Sequence, residues 1–179
     1  VEYDLAESWT VIAGLRWTYD DLSFDHLYNF SPIPGPGIRS QPGGGTARLS
    51  GSNSSDELSG RAGAQFDFTD DMVGYATYAR GYKGPAYNVF FNMTANNAEV
   101  IDAETADSFE LGLKSTLADG RVVLNAAAFY AKYENFQANN FLFLNNVLIT
   151  TLTNAGDVTT EGLEVDFLAR PVDNLSISG

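Results

Sequence analysis

From Trp9 to Tyr19 the chain alternates: Trp9, Val11, Ala13, Leu15, Trp17 and Tyr19 are separated by Thr10, Ile12, Gly14, Arg16 and Thr18. A period of two puts the first set on one face of a β-strand and the second on the other. Only Ile12 breaks the division of apolar from polar. The two tryptophans lie roughly 27 Å apart along an extended strand, or roughly 20 Å along the axis of a barrel whose strands tilt by about 40°. That spacing fits aromatics bracketing a membrane band, and equally a half-buried strand of a soluble sandwich. Ala62, Ala64, Phe66 and Phe68 repeat the alternation, as do Phe109, Leu111, Leu113 and Leu117, and again Leu163, Val165, Phe167 and Ala169. Val73 to Lys83 and Val122 to Gln137 also read as strands, although the run Ala126, Ala127, Ala128 leaves the facing of the second open.

The connections come in two kinds. Short turns are expected at Thr69-Asp70-Asp71-Met72, Ala118-Asp119-Gly120-Arg121 and Pro171-Val172-Asp173-Asn174, all rich in turn-forming residues. Between them lie long polar connections, Ser23 to Leu58, Val89 to Ala103 and Ala138 to Thr153. The first holds four of the six prolines and six of the 17 glycines, and irregular structure is predicted throughout it. Short turns at one end and long loops at the other are the habit of outer-membrane barrels, with the turns periplasmic and the loops extracellular. A soluble sandwich has no reason to sort its loops by length. The expected path runs from Val1 to Asp4, turns at Leu5 to Ser8, then alternates up and down: Trp9 to Tyr19, Gly60 to Phe68, Val73 to Lys83, Glu104 to Leu117, Val122 to Gln137, Asn154 to Ala169 and Leu175 to Gly179. About eight strands or part-strands cannot close around a wide lumen, so the barrel is expected to be partial, with more of it on either side.

Composition agrees with strands without deciding between membrane and water. There are 17 Gly, 12 Phe, 9 Tyr and 2 Trp in 179 residues. A formal net charge of -13 argues against nucleic acid as a partner, because neutralising phosphate needs clustered Lys and Arg. Without cysteine there is neither disulfide nor thiolate metal site, and a single histidine, His26, cannot build a histidine zinc site. No apolar run approaches the roughly 20 residues of a spanning helix. Barrel strands escape that test, since only alternate residues face lipid.

At this stage the chain resembles the C-terminal barrel of TonB-dependent receptors. The resemblance rests on Tyr75-Ala76-Thr77-Tyr78-Ala79-Arg80-Gly81-Tyr82-Lys83, on Glu104-Thr105 followed by Phe109-Glu110-Leu111-Gly112-Leu113-Lys114, and on Asp119-Gly120-Arg121. Phe129-Tyr130, Phe136-Gln137, Asn154-Ala155-Gly156 and Glu161-Gly162-Leu163-Glu164-Val165 complete it in order. It implies an all-β, antiparallel transmembrane barrel of 22 strands, of which residues 1–179 are one partial barrel domain lacking the plug. It further implies the outer membrane of a Gram-negative bacterium, lipid around the wall, and TonB and a plug as partners in the full-length receptor. The implied activity is active uptake of a scarce nutrient, first a ferric siderophore or other iron complex. Carbohydrate and cobalamin are the minority cargoes, and a passive porin would show similar strands.

Arg16, Arg61 and Lys114, with Glu110, Glu164, Asp166 and Asp67, fall on the polar faces of their strands. A basic side chain turned to lipid at mid-membrane costs about 2 to 4 kcal/mol, so these charges are expected to face the lumen, as a bracing lattice or as a wall for plug and cargo. Tyr82, Tyr87, Phe90 and Phe91, near Asn88 and Asn92, are the candidate cargo contacts at the mouth, against the alternative of loop self-packing. Phe136, Phe141 and Phe143 carry the same two readings. No catalytic, cofactor or metal residues are assigned: Ser23, Asp25 and His26 crowd one loop without the preorganisation of a triad. The pairs Asp20-Asp21, Asp56-Glu57 and Asp70-Asp71 lack calcium-loop spacing.

Overall fold

The computed structural model describes residues 1–35, 40–89, 98–144 and 147–179, and among these no residue is helical. The strands are β1 (Glu2–Ala6), β2 (Trp9–Phe30), β3 (Gly45–Thr69), β4 (Met72–Lys83), β5 (Glu104–Leu117), β6 (Val122–Glu134), β7 (Gln137–Leu144), β8 (Val147–Asn154), β9 (Val158–Val172) and β10 (Leu175–Ser178). Eight of them make one sheet in the order β1-β2-β3-β4-β5-β6-β9-β10, and β7 with β8 makes a separate two-stranded sheet. Every strand pairing is antiparallel. The expected all-β, open, partial barrel wall is what the chain forms.

Register fixes the faces. One row across the sheet reads Trp9, Phe66, Gly74, Leu113, Ala126, Val165, and the next reads Val11, Ala64, Ala76, Leu111, Ala128, Leu163. The opposite face carries the row Thr10, Gln65, Tyr75, Gly112, Ala127, Glu164. On the apolar face Leu15 is 83% exposed, Leu111 65% and Leu163 81%. Among the described residues only Ile101 and Ala131 are buried hydrophobics, so no second layer covers this sheet. Such a continuous apolar surface is untenable in water and needs an apolar medium against it. Lipid supplies that layer in a membrane barrel. Trp9 and Trp17 sit on this face, the first against the Phe66 ring at 4.8 Å and the second against Tyr19 at 6.2 Å. In the assembled receptor both indoles are expected to be quenched by lipid-phase quenchers; quenching only by aqueous agents would contradict the facing.

The structure corrects the expected path in several places: β1 runs on through Ala6 into the turn expected from Leu5, and the strand expected from Asn154 begins only at Val158, because Asn154 ends β8. Ser23 to Leu58 is not an irregular loop: β2 and β3 stay paired out to Phe30↔Gly45, and the proline- and glycine-rich stretch shrinks to residues 31–44. Alternation persists there, with Leu22, Phe24, His26, Tyr28 and Phe30 half-buried and the residues between them exposed. The single strand expected from Val122 to Gln137 ends at Glu134, because Asn135 takes a left-handed φ of 55° and tips the chain out of the sheet. Residues Ala138 to Thr153, expected as loop, lie almost wholly in the β7–β8 hairpin. Its base is closed by Phe136 N donating to Gly156 O and Ala155 N to Phe136 O, both at 2.8 Å. Neighbour pairing therefore skips this hairpin, and β6 pairs with β9. The last short turn is also tighter than expected, since β9 continues through Val172.

Three glycines on the polar face lie opposite aromatic rings: Gly51 opposite Phe24, Gly112 opposite Tyr75 and Gly162 opposite Phe129. A Cβ on Gly112 would stand 2.3 Å from the Tyr75 ring. Each ring reaches over the bare backbone of its partner into the space a side chain would fill, which pins register.

Candidate functional site: the outer end of the wall

The long connections gather at one end of the sheet. Pairing of β3 with β4 stops at Gly60↔Arg80, but β2 and β3 run on together as a two-stranded ribbon. A ribbon freed of its neighbour twists more strongly than a sheet. Its polar face, carrying Asp20, Ser55 and Glu57, turns onto the end of β4. There the Tyr82 hydroxyl donates to Asp20 Oδ2 at 2.9 Å and lies 3.1 Å from Ser55 Oγ. Arg80 donates to Glu57 Oε1 at 3.1 Å and to Asp107 Oδ2 at 2.8 Å, so one guanidinium clamps ribbon, β4 and β5. Below the clamp, Arg16, Thr18, Asp20, Ser59, Tyr82 and Gly84 line a polar hollow of about 220 Å³.

Side-chain amides tie the remaining loops together. Asn88 exchanges two hydrogen bonds with the backbone of Leu152, at 2.7 and 2.8 Å, joining the segment after β4 to β8. Gln137, buried at 5% exposure, donates from its side chain to Gly84 O and Asp102 O at 2.9 Å each, while its backbone N donates to Glu104. Asn154 accepts from Asp102 N and donates to Asp102 O and Asn135 O. Ile101 and Thr151 in the joined segments are each only 4% exposed. Amides bonded to several main-chain atoms at once hold those segments together, so loop and hairpin are tied to one another rather than standing as independent loops.

The candidate mouth aromatics divide. Tyr82 belongs to the Asp20–Ser55 network, and Tyr87 packs on Phe24 with ring centroids 4.7 Å apart. Phe90 and Phe91, like Asn92, lie outside the described residues. Phe136 meets Tyr133 edge-on at 6.0 Å, whereas Phe141 and Phe143 project from β7 at 68% and 80% exposure. Arg16, Arg61, Lys114, Glu110, Glu164 and Asp166 share the polar face by register. Some are braced: Tyr75 donates to Glu110 at 2.6 Å, Lys114 lies 5.4 Å over the Tyr75 ring, and Asn125 donates to Asp166 at 3.2 Å.

His26 is not beside Asp25 in any useful sense. Strand alternation sends Ser23 and Asp25 to the face opposite His26. Asp25 instead pairs with Arg48, whose hydrogen bond holds the carboxyl below its usual range. Among the described residues no cluster could hold a metal ion. Sequence reasoning missed the stripe Phe24, His26, Tyr28 and Phe30, stacked at 5.7 Å from His26 to Tyr28 and 5.2 Å from Tyr28 to Phe30. Its signal was the alternate spacing, hidden by the prolines that follow.

A one-layer wall, apolar on one face and capped at one end by long knitted loops, defines an outer-membrane β-barrel. The family model described as "TonB dependent receptor-like, beta-barrel" matches residues 1–178. The chain belongs to that family, and its place is the outer membrane of a Gram-negative bacterium. It is 34% identical to the pesticin receptor of Yersinia pestis over 117 residues, 65% of this chain and 16% of that protein. It is 26% identical over 180 residues to the probable TonB-dependent siderophore receptor PiuA of Acinetobacter baumannii, covering 98% of this chain and 21% of the relative. The ferric yersiniabactin uptake receptor FyuA from Yersinia pestis superposes with a TM-score of 0.71 at 25% identity, over 99% of this chain and 24% of that one. The chain thus spans about a quarter or less of the length of these relatives.

Proposed function

We propose that the full-length protein is a receptor that imports an iron complex, first a ferric siderophore, and that residues 1–179 supply part of its wall and outer cap. The observation that carries this is the set of outer loops tied together by side-chain amides at one end of an apolar wall, since binding residues concentrate on loops held by a rigid scaffold. The relatives' names, siderophore receptor and ferric yersiniabactin uptake receptor, support the same cargo class. A plug and TonB complete the full-length machine, and the charges Arg16, Arg61, Lys114, Glu110, Glu164 and Asp166 line the lumen, where water and the plug take the place of lipid. The names of its relatives are those of receptors, which supports reading the full-length protein as a receptor.

Deleting the gene should abolish growth when an iron chelate is the sole iron source and leave growth on a limiting sugar unchanged. A defect on the sugar alone would reverse the cargo assignment. Within the full-length receptor, replacing Tyr82, Tyr87, Phe90 and Phe91 together by Ala should weaken cargo binding about tenfold while the barrel still assembles, since Tyr82 stands at the outer end of β4 and the other three follow it, clear of the membrane-spanning ladder. Unchanged affinity in a correctly assembled variant would remove these four from the site.

A further inference from the structure

Where β3 parts from β4 beyond the pair Gly60↔Arg80, the ribbon and the end of β4 enclose the polar hollow of about 220 Å³ lined by Arg16, Thr18, Asp20, Ser59, Tyr82 and Gly84. Arg16, Thr18 and Asp20 alternate along β2 and share its polar face. Arg16 and Asp20 stand about 13 Å apart along the strand, four residues at the usual rise, and do not neutralise each other. The hollow therefore has a guanidinium at one end and a carboxylate at the other.

The charges around it are already engaged. At this end of the wall Arg48 pairs with Asp25, Arg80 with Glu57 and Asp107, Lys83 with Glu104 and Lys132 with Glu134. The exposed Arg16 guanidinium has no partner among the described residues, and Ser59 Oγ meets only the backbone carbonyl of Arg16, at 3.5 Å. Carboxylates are not scarce, since the chain has 23. Glu57 lies opposite Thr18, hence diagonal to Arg16 across the ladder and within reach of so long a side chain. Arg80 holds it instead, at 3.1 Å. Asp20 is turned to β4 by the Tyr82 hydroxyl, which donates to its Oδ2 at 2.9 Å. Arg61, over Gly14 on the same face and diagonal to Arg16, is a second cation with no partner among the described residues, and it raises the local positive potential. An open guanidinium fork at a walled polar hollow is preorganised for a planar anion, because Arg and carboxylate match through two parallel hydrogen bonds.

We infer that this hollow receives one free carboxylate arm of the iron chelate, held by Arg16, with a hydrogen-bond donor on the same arm meeting Asp20. This rests on the reading of the full-length protein as an iron-complex receptor and selects among such complexes those that keep a carboxylate not bound to iron. A neutral amide in place of that carboxylate offers one acceptor oxygen and no charge. Asp20 limits the site to a single arm, since a second carboxylate alongside meets like charge.

The test uses the purified full-length receptor and matched pairs of iron(III) complexes, each pair differing only in a pendant free carboxylate or its methyl amide. The pairs are built on trihydroxamate, tris(catecholate) and tris(8-hydroxyquinolinate) cores. On every core that binds, the carboxylate form should bind about fivefold more tightly than the amide, and the advantage should shrink as salt rises. Arg16→Gln should bring the two forms level and leave the affinity of the amide form unchanged. Arg16→Lys should keep part of the advantage, as a point charge without the fork. Asp20→Asn keeps an acceptor for Tyr82, removes the nearest like charge and should strengthen the carboxylate form alone. Arg121→Gln, in the turn at the opposite end of the wall, removes the same charge and should change neither form. Heat-modifiable gel mobility shows that each variant is folded. Equal affinities within the pairs, or a preference that survives Arg16→Gln, would overturn the inference and leave iron import standing. In the second case a lowered urea midpoint of that variant would give the hollow to a carboxylate of the plug instead. Binding of no core at all would overturn the inference too, and the gene deletion decides separately, by iron-limited growth, whether the import reading falls with it.

Discussion

Leu111→Arg in the full-length receptor is expected to prevent assembly of the barrel, with the heat-modifiable band of the folded protein lost from isolated outer membranes. Leu111 lies in the middle of β5, between Ala76 on β4 and Ala128 on β6, and 65% of its surface is open. By contact within the chain alone, so exposed a residue should tolerate almost any substitution. In lipid the same position is near the midplane, where an Arg costs about 2 to 4 kcal/mol. The control is Thr77→Arg on β4, one position along and on the polar face, opposite Glu110. There the guanidinium finds a carboxylate and water, and assembly should continue. Two equally damaging arginines, or two harmless ones, would mean that the faces have been assigned without basis.

That contrast also explains which parts of the fold were legible in the sequence. Wherever one face meets lipid, alternation is strict, because each slip of one residue would turn an apolar side chain to water and a polar one to hydrocarbon. Trp9 to Tyr19, Ala62 to Phe68, Phe109 to Leu117 and Leu163 to Ala169 were readable for that reason. The short turns were readable too, since Ala118, Asp119 and Gly120 all adopt positive φ and the Asp-Gly pair announces it. Above the membrane the constraint relaxes and the signals compete. The prolines and glycines of residues 31–44 masked an orderly ribbon on either side of them, although Phe24, His26, Tyr28 and Phe30 kept the two-residue period. Between Glu134 and Gln137 nothing in the local pattern says that the chain leaves the sheet. Asn135 tolerates the left-handed backbone better than most residues, but an asparagine alone is a weak sign.

The candidate site was less legible than the wall because its organisation is made by amides. Asn88, Gln137 and Asn154 each join segments more than fifty residues apart, through bonds to main-chain atoms whose positions no spacing rule encodes. Aromatic rings near the mouth could be listed from sequence. Their division into Tyr82, which is held by Asp20 and Ser55, and Tyr87, which stacks on Phe24, required the ribbon to be in place.

Gly112→Val should destabilise the barrel by about 1 to 3 kcal/mol, the usual cost of forcing bulk into a packed position. The backbone of Gly112 is buried under the Tyr75 ring, and a Cβ there would lie 2.3 to 2.4 Å from Cζ, Cε1 and the hydroxyl oxygen. Ring atoms cannot yield by more than a few tenths of an ångström without rotating the side chain. Rotation breaks the 2.6 Å bond from Tyr75 to Glu110 and removes the ring from beneath the Lys114 ammonium. Tyr75→Ala alone should also destabilise, since it uncovers the glycine backbone. Together the two changes should cost much less than their sum, because removing the ring opens the space that valine needs and valine restores strand propensity. The measurement is the urea midpoint of the receptor folded in lipid vesicles, run for both single variants and the double. A coupling of at least about 1 kcal/mol in favour of the double variant is expected for residues in direct contact. Additive losses would show that Gly112 and Tyr75 act independently, and that the ring over the glycine is not what holds β4 and β5 in register.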